Sequence, residues 1–164
     1  MIFVTVGTHE QAFNRLVEYM DNWARQHEEV VVIQTGYSNY EPKTATWQSM
    51  FPYEKMTENV KKARIVITHG GPSSFIMPLQ YGKIPIVVPR KKEFKEHVND
   101  HQLSFAKAVE KRQGNIIVVE DVKDLGDAIE NYDQKTEALN HGFESHNQEF
   151  CEKLEKIVME VMKQ

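Results

Sequence analysis

A single cysteine, Cys151, among 164 residues leaves no internal disulfide to staple the fold. A reducing compartment is the simple expectation, with the thiol acting as a small buried hydrophobe. No run approaches the roughly 20 apolar residues that span a bilayer. The apolar opening Met1-Ile2-Phe3-Val4-Thr5-Val6-Gly7 has neither a basic flank nor a small-residue cleavage site, so it reads as a first strand and not as a signal peptide. Excess positive charge is missing too. The net charge of −4 argues against nucleic acid as a ligand. The chain contains no internal repeat, no low-complexity segment, no Gly-x-Ser-x-Gly elbow and no cysteine with a credible catalytic loop. It also contains no Asp-x-Asp pair, so a metal-bridged diphosphate would find no obvious ligands. His97 and His101 share the spacing of a zinc pair, but the glutamate of His-Glu-x-x-His is missing, and neither a metal nor another cofactor is expected.

What remains is an ordinary globular composition, 40% hydrophobic and 27% charged, long enough for one α/β domain and short for two. Unbroken β-branched runs at residues 2–6, 30–34, 65–68, 84–89 and 116–119 carry the signature of strands buried on both faces, and a weaker strand covers 46–50. Helical patterns separate them at 12–26, 53–62, 74–81, 98–111 and 122–132. In the first, Phe13, Leu16, Val17, Met20 and Trp23 recur at three- and four-residue spacing. Asp121 is a plausible N-cap and Gly82 a C-terminal stop. This alternation predicts an α/β fold, a Rossmann-like doubly wound parallel sheet over residues 1–143. Residues 36–45 read as a mobile polar loop. Residues 144–164 read as a C-terminal amphipathic helix with Phe150, Leu154, Ile157, Val158, Val161 and Met162 in one stripe. That stripe suits either packing on the parent sheet or docking of a partner, which could be a second copy of this chain.

Ligands of such sheets sit outside the carboxyl ends of the strands, so the loops after Val6, Gln34, Thr68 and Pro89 draw attention. In Thr68-His69-Gly70-Gly71-Pro72-Ser73-Ser74 the glycines allow close backbone approach and Pro72 suits a first helical turn. The N–H groups of residues 73–75 and the two serine hydroxyls would then face an anion, with His69 donating to a phosphate oxygen. An ordinary tight strand–helix turn fits the same residues. The loop Val6-Gly7-Thr8-His9 lacks the P-loop lysine but leaves room for a diphosphate or an acceptor, and Gln34-Thr35-Gly36 is a weaker version of it. After the basic loop Arg90-Lys91-Lys92, the segment Glu96-His97-Val98-Asn99-Asp100-His101-Gln102 holds groups that read sugar hydroxyls or cap a helix.

Together, His69-Gly70-Gly71-x-Ser73-Ser74, Gly82-x-x-Pro85 and His101-Gln102-x-x-x-Ala106 resemble the C-terminal, donor-binding half of GT-B glycosyltransferases, with family 28 nearest. The opening Phe3-Val4-Thr5-Val6-Gly7-Thr8 and the phrase Gly71-Pro72-Ser73-Ser74-Phe75-Ile76-Met77-Pro78 resemble the small subunits of split members. These are the eukaryotic dolichol-diphosphate GlcNAc transferase and the bacterial two-component capsular and exopolysaccharide transferases. The resemblance implies a single GT-B half-domain that binds a UDP-sugar, with UDP-galactose first. It also implies a membrane-attached partner subunit presenting a lipid-linked saccharide acceptor, and an inverting β-1,4 transfer. The chain would be cytoplasmic, held at the inner face of the membrane through that partner. Carried over by position, Gly7, Thr8, His69, Gly70, Gly71, Ser73 and Ser74 would surround the diphosphate, Asp100, His101 and Gln102 the sugar, and Phe51 the base. His9 is the loop candidate for a catalytic base, with the partner half as the other source. Relatives place a ribose-binding glutamate where this chain has Met77. Two rival readings remain: a non-catalytic nucleotide-sugar-binding regulatory subunit, and a hydrolysing nucleotide-sugar epimerase, whose members carry both halves in a longer chain.

Overall fold

A computed structural model of the protein describes residues 1–139 and 147–162. Six parallel strands, β1 (Ile2–Thr5), β2 (Val31–Gln34), β3 (Thr46–Gln48), β4 (Ile65–His69), β5 (Ile86–Val88) and β6 (Ile117–Val118), pair in the order β3-β2-β1-β4-β5-β6. The helices are α1 (Asn14–Gln26), α2 (Tyr53–Lys62), α3 (Pro72–Gln80), α4 (His101–Gln113), α5 (Leu125–Glu130), α6 (Tyr132–Glu137) and α7 (Asn147–Val161). Side-chain alternation along the strands explains why both faces are covered. Ile2, Val4, Ile65, Ile67, Ile86 and Val88 join one core with Leu16, Val17 and Met20 of α1 and Leu125, Ala128 and Ile129 of α5. Phe3 and Val66 point the other way onto Val60 of α2, and Val87 onto Phe75 and Leu79 of α3 and Ala106 of α4. The expected doubly wound sheet is what forms. Strand order reverses between β1 and β4, which opens a crevice at their carboxyl ends.

Several expected boundaries shift for local reasons. The run at 84–89 contracts to Ile86–Val88 because Pro85 and Pro89, which bracket it, have no N–H for a ladder. The helix expected from residue 98 starts at His101, since residues 92–100 close on themselves. The Lys92 N–H donates to Asp100 Oδ1 at 2.8 Å, and the His101 N–H donates to Asn99 Oδ1 at 3.3 Å. The helix expected at 122–132 divides. A 3-10 turn (Val122–Asp124), capped by Asp121 accepting from the Lys123 N–H, leads into α5, and Tyr132 opens α6. Gly82 stops α3 with φ +67°, and its N–H bonds the Leu79 carbonyl.

The polar loop at 36–45 is held at its far end by one acid. Asp21, 4% exposed on α1, accepts from the N–H groups of Lys43, Thr44 and Ala45 and from the Tyr40 hydroxyl at 2.8–2.9 Å. Burial alone would raise its pKa, but those donors overcome it and hold the carboxyl below its usual range.

The tail helix is not packed on the sheet. In α7, Leu154, Ile157, Val158, Met159 and Val161 are 46–67% exposed. Cys151 is exposed as well, so the expectation of a buried thiol is corrected. Glu144 and Gln164, the expected ends of this helix, and the Phe150 side chain lie outside the described residues, as does the expected boundary at 143. Among the described residues no helix is long and apolar enough to cross a membrane.

Candidate functional site

At the β1/β4 switch point the chain lines an open cavity of about 610 Å³. Its wall brings together Gly7, Thr8 and His9 after β1, Phe51 after β3, His69 at the end of β4, Ser73 and Ser74 of α3, and Gln102 of α4. All of these were singled out in the sequence. The remaining candidates stand just behind or beside it. Gly70 is buried, and a Cβ there would meet the Gln102 side chain at 2.9 Å. Gly71 is the N-cap of α3. Asp100 and His101 are exposed outside the wall, with Asp100 engaged by Lys92 and His101 ring-stacked edge-on with His97 at 4.6 Å. His97 in turn meets His9 at 4.9 Å, so a row of imidazoles borders one rim.

His69 is the best-defined member. Its residue is 8% exposed, and the ring is wedged between two glycine loops. A Cβ on Gly7 would come within 2.3 Å of Nε2, and one on Gly71 within 2.2 Å of Cε1. The Gly71 N–H donates to Nδ1 at 3.0 Å, so Nδ1 is the bare nitrogen and Nε2 carries the hydrogen. Nε2 then donates to Ser74 Oγ at 2.8 Å, which leaves the serine hydroxyl proton available to the cavity. Both ring nitrogens are thus engaged within the chain. At the mouth of α3, Pro72 has no N–H and the Ser74 N–H bonds the Gly71 carbonyl at 3.0 Å. The Ser73 N–H and the two hydroxyls are left as the donors of the turn.

Burial drives the His69 pKa down to about 4, helped by the Arg90 guanidinium and the His9 and His97 rings and opposed by Gln102. The ring is neutral at pH 7, as the bond from Gly71 requires. His97 is lowered for the same leading reason, burial, with His101 and His9 adding to it. An unfolded chain takes up these protons near pH 6.5 while the folded one resists. Stability is therefore complete above about pH 6.5 and falls as pH drops toward 4, by roughly 3 kcal/mol for His69. Urea melts at pH 7.5 and pH 5 check this: the wild type is expected to lose stability between them, and His69→Gln to lose less. Asp21 does not confuse the window, because its own loss begins only below its unfolded value of 3.8.

Two buried charges fix the loops that frame the cavity, and sequence reasoning missed both. Arg90 is fully buried. Its Nη1 donates to the carbonyls of Gln11, Ala12 and Glu96 at 2.6, 3.3 and 3.1 Å, its Nη2 to that of Val6 at 2.9 Å, and its guanidinium lies 4.8 Å from the Phe13 ring centre. Burial lowers its pKa to about 10, against the pull of the Glu96 carboxylate, so it stays charged at neutral pH. Glu96, 3% exposed, takes a two-pronged bond from Arg15 at 2.9 and 3.0 Å and accepts the Lys91 N–H. It is a framing group, which removes it from the hydroxyl-reading segment expected at 96–102. Met77 packs half-buried against Phe3, Val60 and Val66 beside Phe51 and Met56, so the position of the expected ribose ligand is apolar. The wall also includes Thr5, Gln34, Met50, Tyr53 and Met56; Thr5 and Tyr53 lay within expected site segments and Gln34 and Met50 at expected strand ends. Among the described residues no cluster of three or more His, Cys, Asp or Glu is arranged to hold a metal ion.

Comparison with known proteins agrees with the fold. The chain is similar to CalG4, the calicheamicin glycosyltransferase (16% identity, TM-score 0.54, 79% of this chain and 32% of that one). It is similar to the glycotransferase of kitacinnamycin (16% identity, TM-score 0.53, 82% and 37%) and to SnogD from Streptomyces nogalater (15% identity, TM-score 0.50, 84% and 39%). At these identities the likeness is one of fold. The chain spans 32–39% of the length of these structures. No curated protein is found to match it. The model of the glycosyltransferase family 28 C-terminal domain matches residues 1–161, and the chain belongs to that family.

Proposed function

We propose that this protein is the donor-binding, catalytic subunit of a two-component inverting glycosyltransferase. It would move a hexose, galactose in β-1,4 linkage, from a UDP-sugar to a lipid-linked saccharide in capsular or exopolysaccharide synthesis. The observation that carries the reading is the convergence of the Gly7–His9 loop, the glycine–serine turn and Gln102 on one cavity at the switch point. In this reading the Ser73 N–H and the hydroxyls of Ser73 and Ser74 bind the diphosphate, Gly70 and Gly71 leave room for its close approach, and Gly7 and Thr8 stand opposite. His69 positions the Ser74 hydroxyl. Gln102, with Asp100 and His101 beside it, takes the sugar hydroxyls, and Phe51 packs on the base. The acceptor oxygen attacks the anomeric carbon, the bond to the diphosphate breaks, and the acceptor proton passes to a base. His9 is this chain's candidate for that base, and the acceptor half is the other source. The developing charge is met by the positive end of α3 and the two hydroxyls without a cation.

The exposed apolar stripe of α7 supports a partner-docking role for the tail, and a second copy could occupy it when the partner is absent. The partner would be a membrane-attached acceptor-binding subunit that holds the protein at the inner membrane face from the cytoplasm. The test is transfer of radiolabelled galactose from UDP-galactose to a lipid-linked acceptor, by the chain alone and with membranes carrying the partner. Transfer is expected only with the partner. The double variant Leu154→Asp, Ile157→Asp is expected to keep UDP binding and lose association. Full activity of the chain alone would overturn the two-component reading, and donor binding without transfer in either arm would return the regulatory-subunit reading.

A further inference from the structure

Gln34 closes the carboxyl end of β2 and is only 3% exposed, yet its side chain lines the cavity. A run of hydrogen bonds decides which way its amide points. The Gly7 N–H donates to Thr5 Oγ1 at 3.2 Å, and the Thr5 hydroxyl donates its own proton to Gln34 Oε1, also at 3.2 Å. Oε1 is therefore the accepting end, and Nε2 turns away from β1. The partner Nε2 has there is the Met50 thioether sulfur at 3.5 Å. Thioethers are weak acceptors, and an amide donor buried this deeply ordinarily meets an oxygen or nitrogen. The second Nε2 hydrogen has no acceptor among the described contacts. Gln34 thus offers a preoriented donor to whatever fills the cavity beside Met50 and Phe51.

Strand order says which part of a nucleotide that is. The anion-binding turn follows β4, while Gln34 ends β2 on the far side of β1, two strand spacings or about 10 Å away. Met50, Phe51 and Met56 line the β3 side of the same cavity with apolar and aromatic surface suited to a flat ring. A nucleotide whose diphosphate lies over the glycine–serine turn places its base, not its phosphates, against Gln34.

We propose that Gln34 is a specificity-determining residue whose Nε2 donates a hydrogen bond to a carbonyl oxygen of the pyrimidine base of the bound donor, displacing the Met50 sulfur. The inference rests on the reading of the cavity as a nucleotide-sugar donor site. It also assigns nucleoside recognition to a group outside the α3 position where Met77 stands.

Calorimetric titration of UDP and CDP into wild type, Gln34→Met and Gln34→Glu tests it. Gln34→Met keeps the volume and removes the donor, and its UDP affinity is expected to fall about tenfold with an unchanged melting curve. Gln34→Glu sets a carboxylate against the carbonyl and is expected to fall further. Loss for both nucleotides assigns the carbonyl that uracil and cytosine share. Loss for UDP alone assigns the one cytosine lacks. Undiminished UDP binding by Gln34→Met overturns the inference and leaves the donor-site reading standing, whereas a wild type that binds neither nucleotide overturns both. Should Gln34→Met fail to fold, Thr5→Val decides. It frees the amide to turn over and is expected to weaken UDP several-fold, and unchanged affinity would overturn the inference.

Discussion

Replacing Gly71 by alanine is expected to abolish nucleotide-sugar binding and to destabilise the fold, although it adds only one methyl group. That methyl would lie 2.2 Å from Cε1 and 3.0 Å from Nδ1 of His69. The ring has little room to shift, because Gly7 crowds it as well, and a Cβ there would already sit 2.3 Å from Nε2. The imidazole must therefore leave its slot, which breaks the bond that aims the Ser74 hydroxyl and the bond that accepts the Gly71 N–H. Loss of aligned diphosphate donors costs about 100-fold or more in donor affinity, and overpacking adds roughly 1–3 kcal/mol of instability. Gly114→Ala is the control. Gly71 has an ordinary φ of −77°, whereas Gly114 has positive φ, +59°, but a Cβ at Gly114 meets nothing within 4 Å. It is expected to lose about 1–2 kcal/mol through backbone strain alone and to bind as wild type. Equal binding by Gly71→Ala and Gly114→Ala would refute the wedged-imidazole account.

The largest stability effect is expected at Arg90. Arg90→Met keeps the aliphatic stem but strands the carbonyls of Val6, Gln11, Ala12 and Glu96, which this guanidinium serves inside the protein. It also leaves Glu96 and Arg15 without the third charge of the group. Removing one member of such a buried network costs about 3–5 kcal/mol, a third or more of the stability of an ordinary domain. The melting temperature is expected to fall by roughly 10 °C. Arg90→Lys recovers only part of this, since one ammonium cannot reach carbonyls from three separate chain segments. The loop bearing Gly7, Thr8 and His9 lies between Val6 and Gln11, so donor binding weakens too. A melting temperature unchanged in Arg90→Met would show that these loops hold without the guanidinium.

Much of the fold was legible in the sequence because it depends on period and punctuation. Leu16, Val17, Met20 and Trp23 repeat at helical spacing and are buried on α1, and Phe13, one residue before the helix, is buried with them. The β-branched runs became the buried strands, trimmed where prolines remove ladder donors. The 36–45 loop misled because its composition is polar, and composition does not reveal that an aspartate on a distant helix gathers its backbone N–H groups. The tail was legible as an amphipathic helix, but which surface meets its stripe is not encoded in periodicity.

The site divides in the same way. Glycines and serines after a strand announce a turn of known chemistry, and His69, Ser73, Ser74 and Gln102 converge as that chemistry requires. Arg90 was read only as part of a basic loop, because charged residues are rarely buried. Only the folding of three segments around it supplies the carbonyls that make burial tolerable. The tautomer of His69 and the orientation of the Gln34 amide likewise come from partners two to 29 residues away, which no local pattern records.

Calorimetric titration of the chain with UDP, UDP-galactose and UDP-glucose, in the presence of a metal chelator, tests the central claim most directly. Binding of one nucleotide per chain is expected, weakened about tenfold or more in the double variant Ser73→Ala, Ser74→Ala, whose lost hydroxyls are those aimed at the diphosphate. No binding of any of the three by the folded wild type would contradict the assignment of this cavity as a nucleotide-sugar donor site.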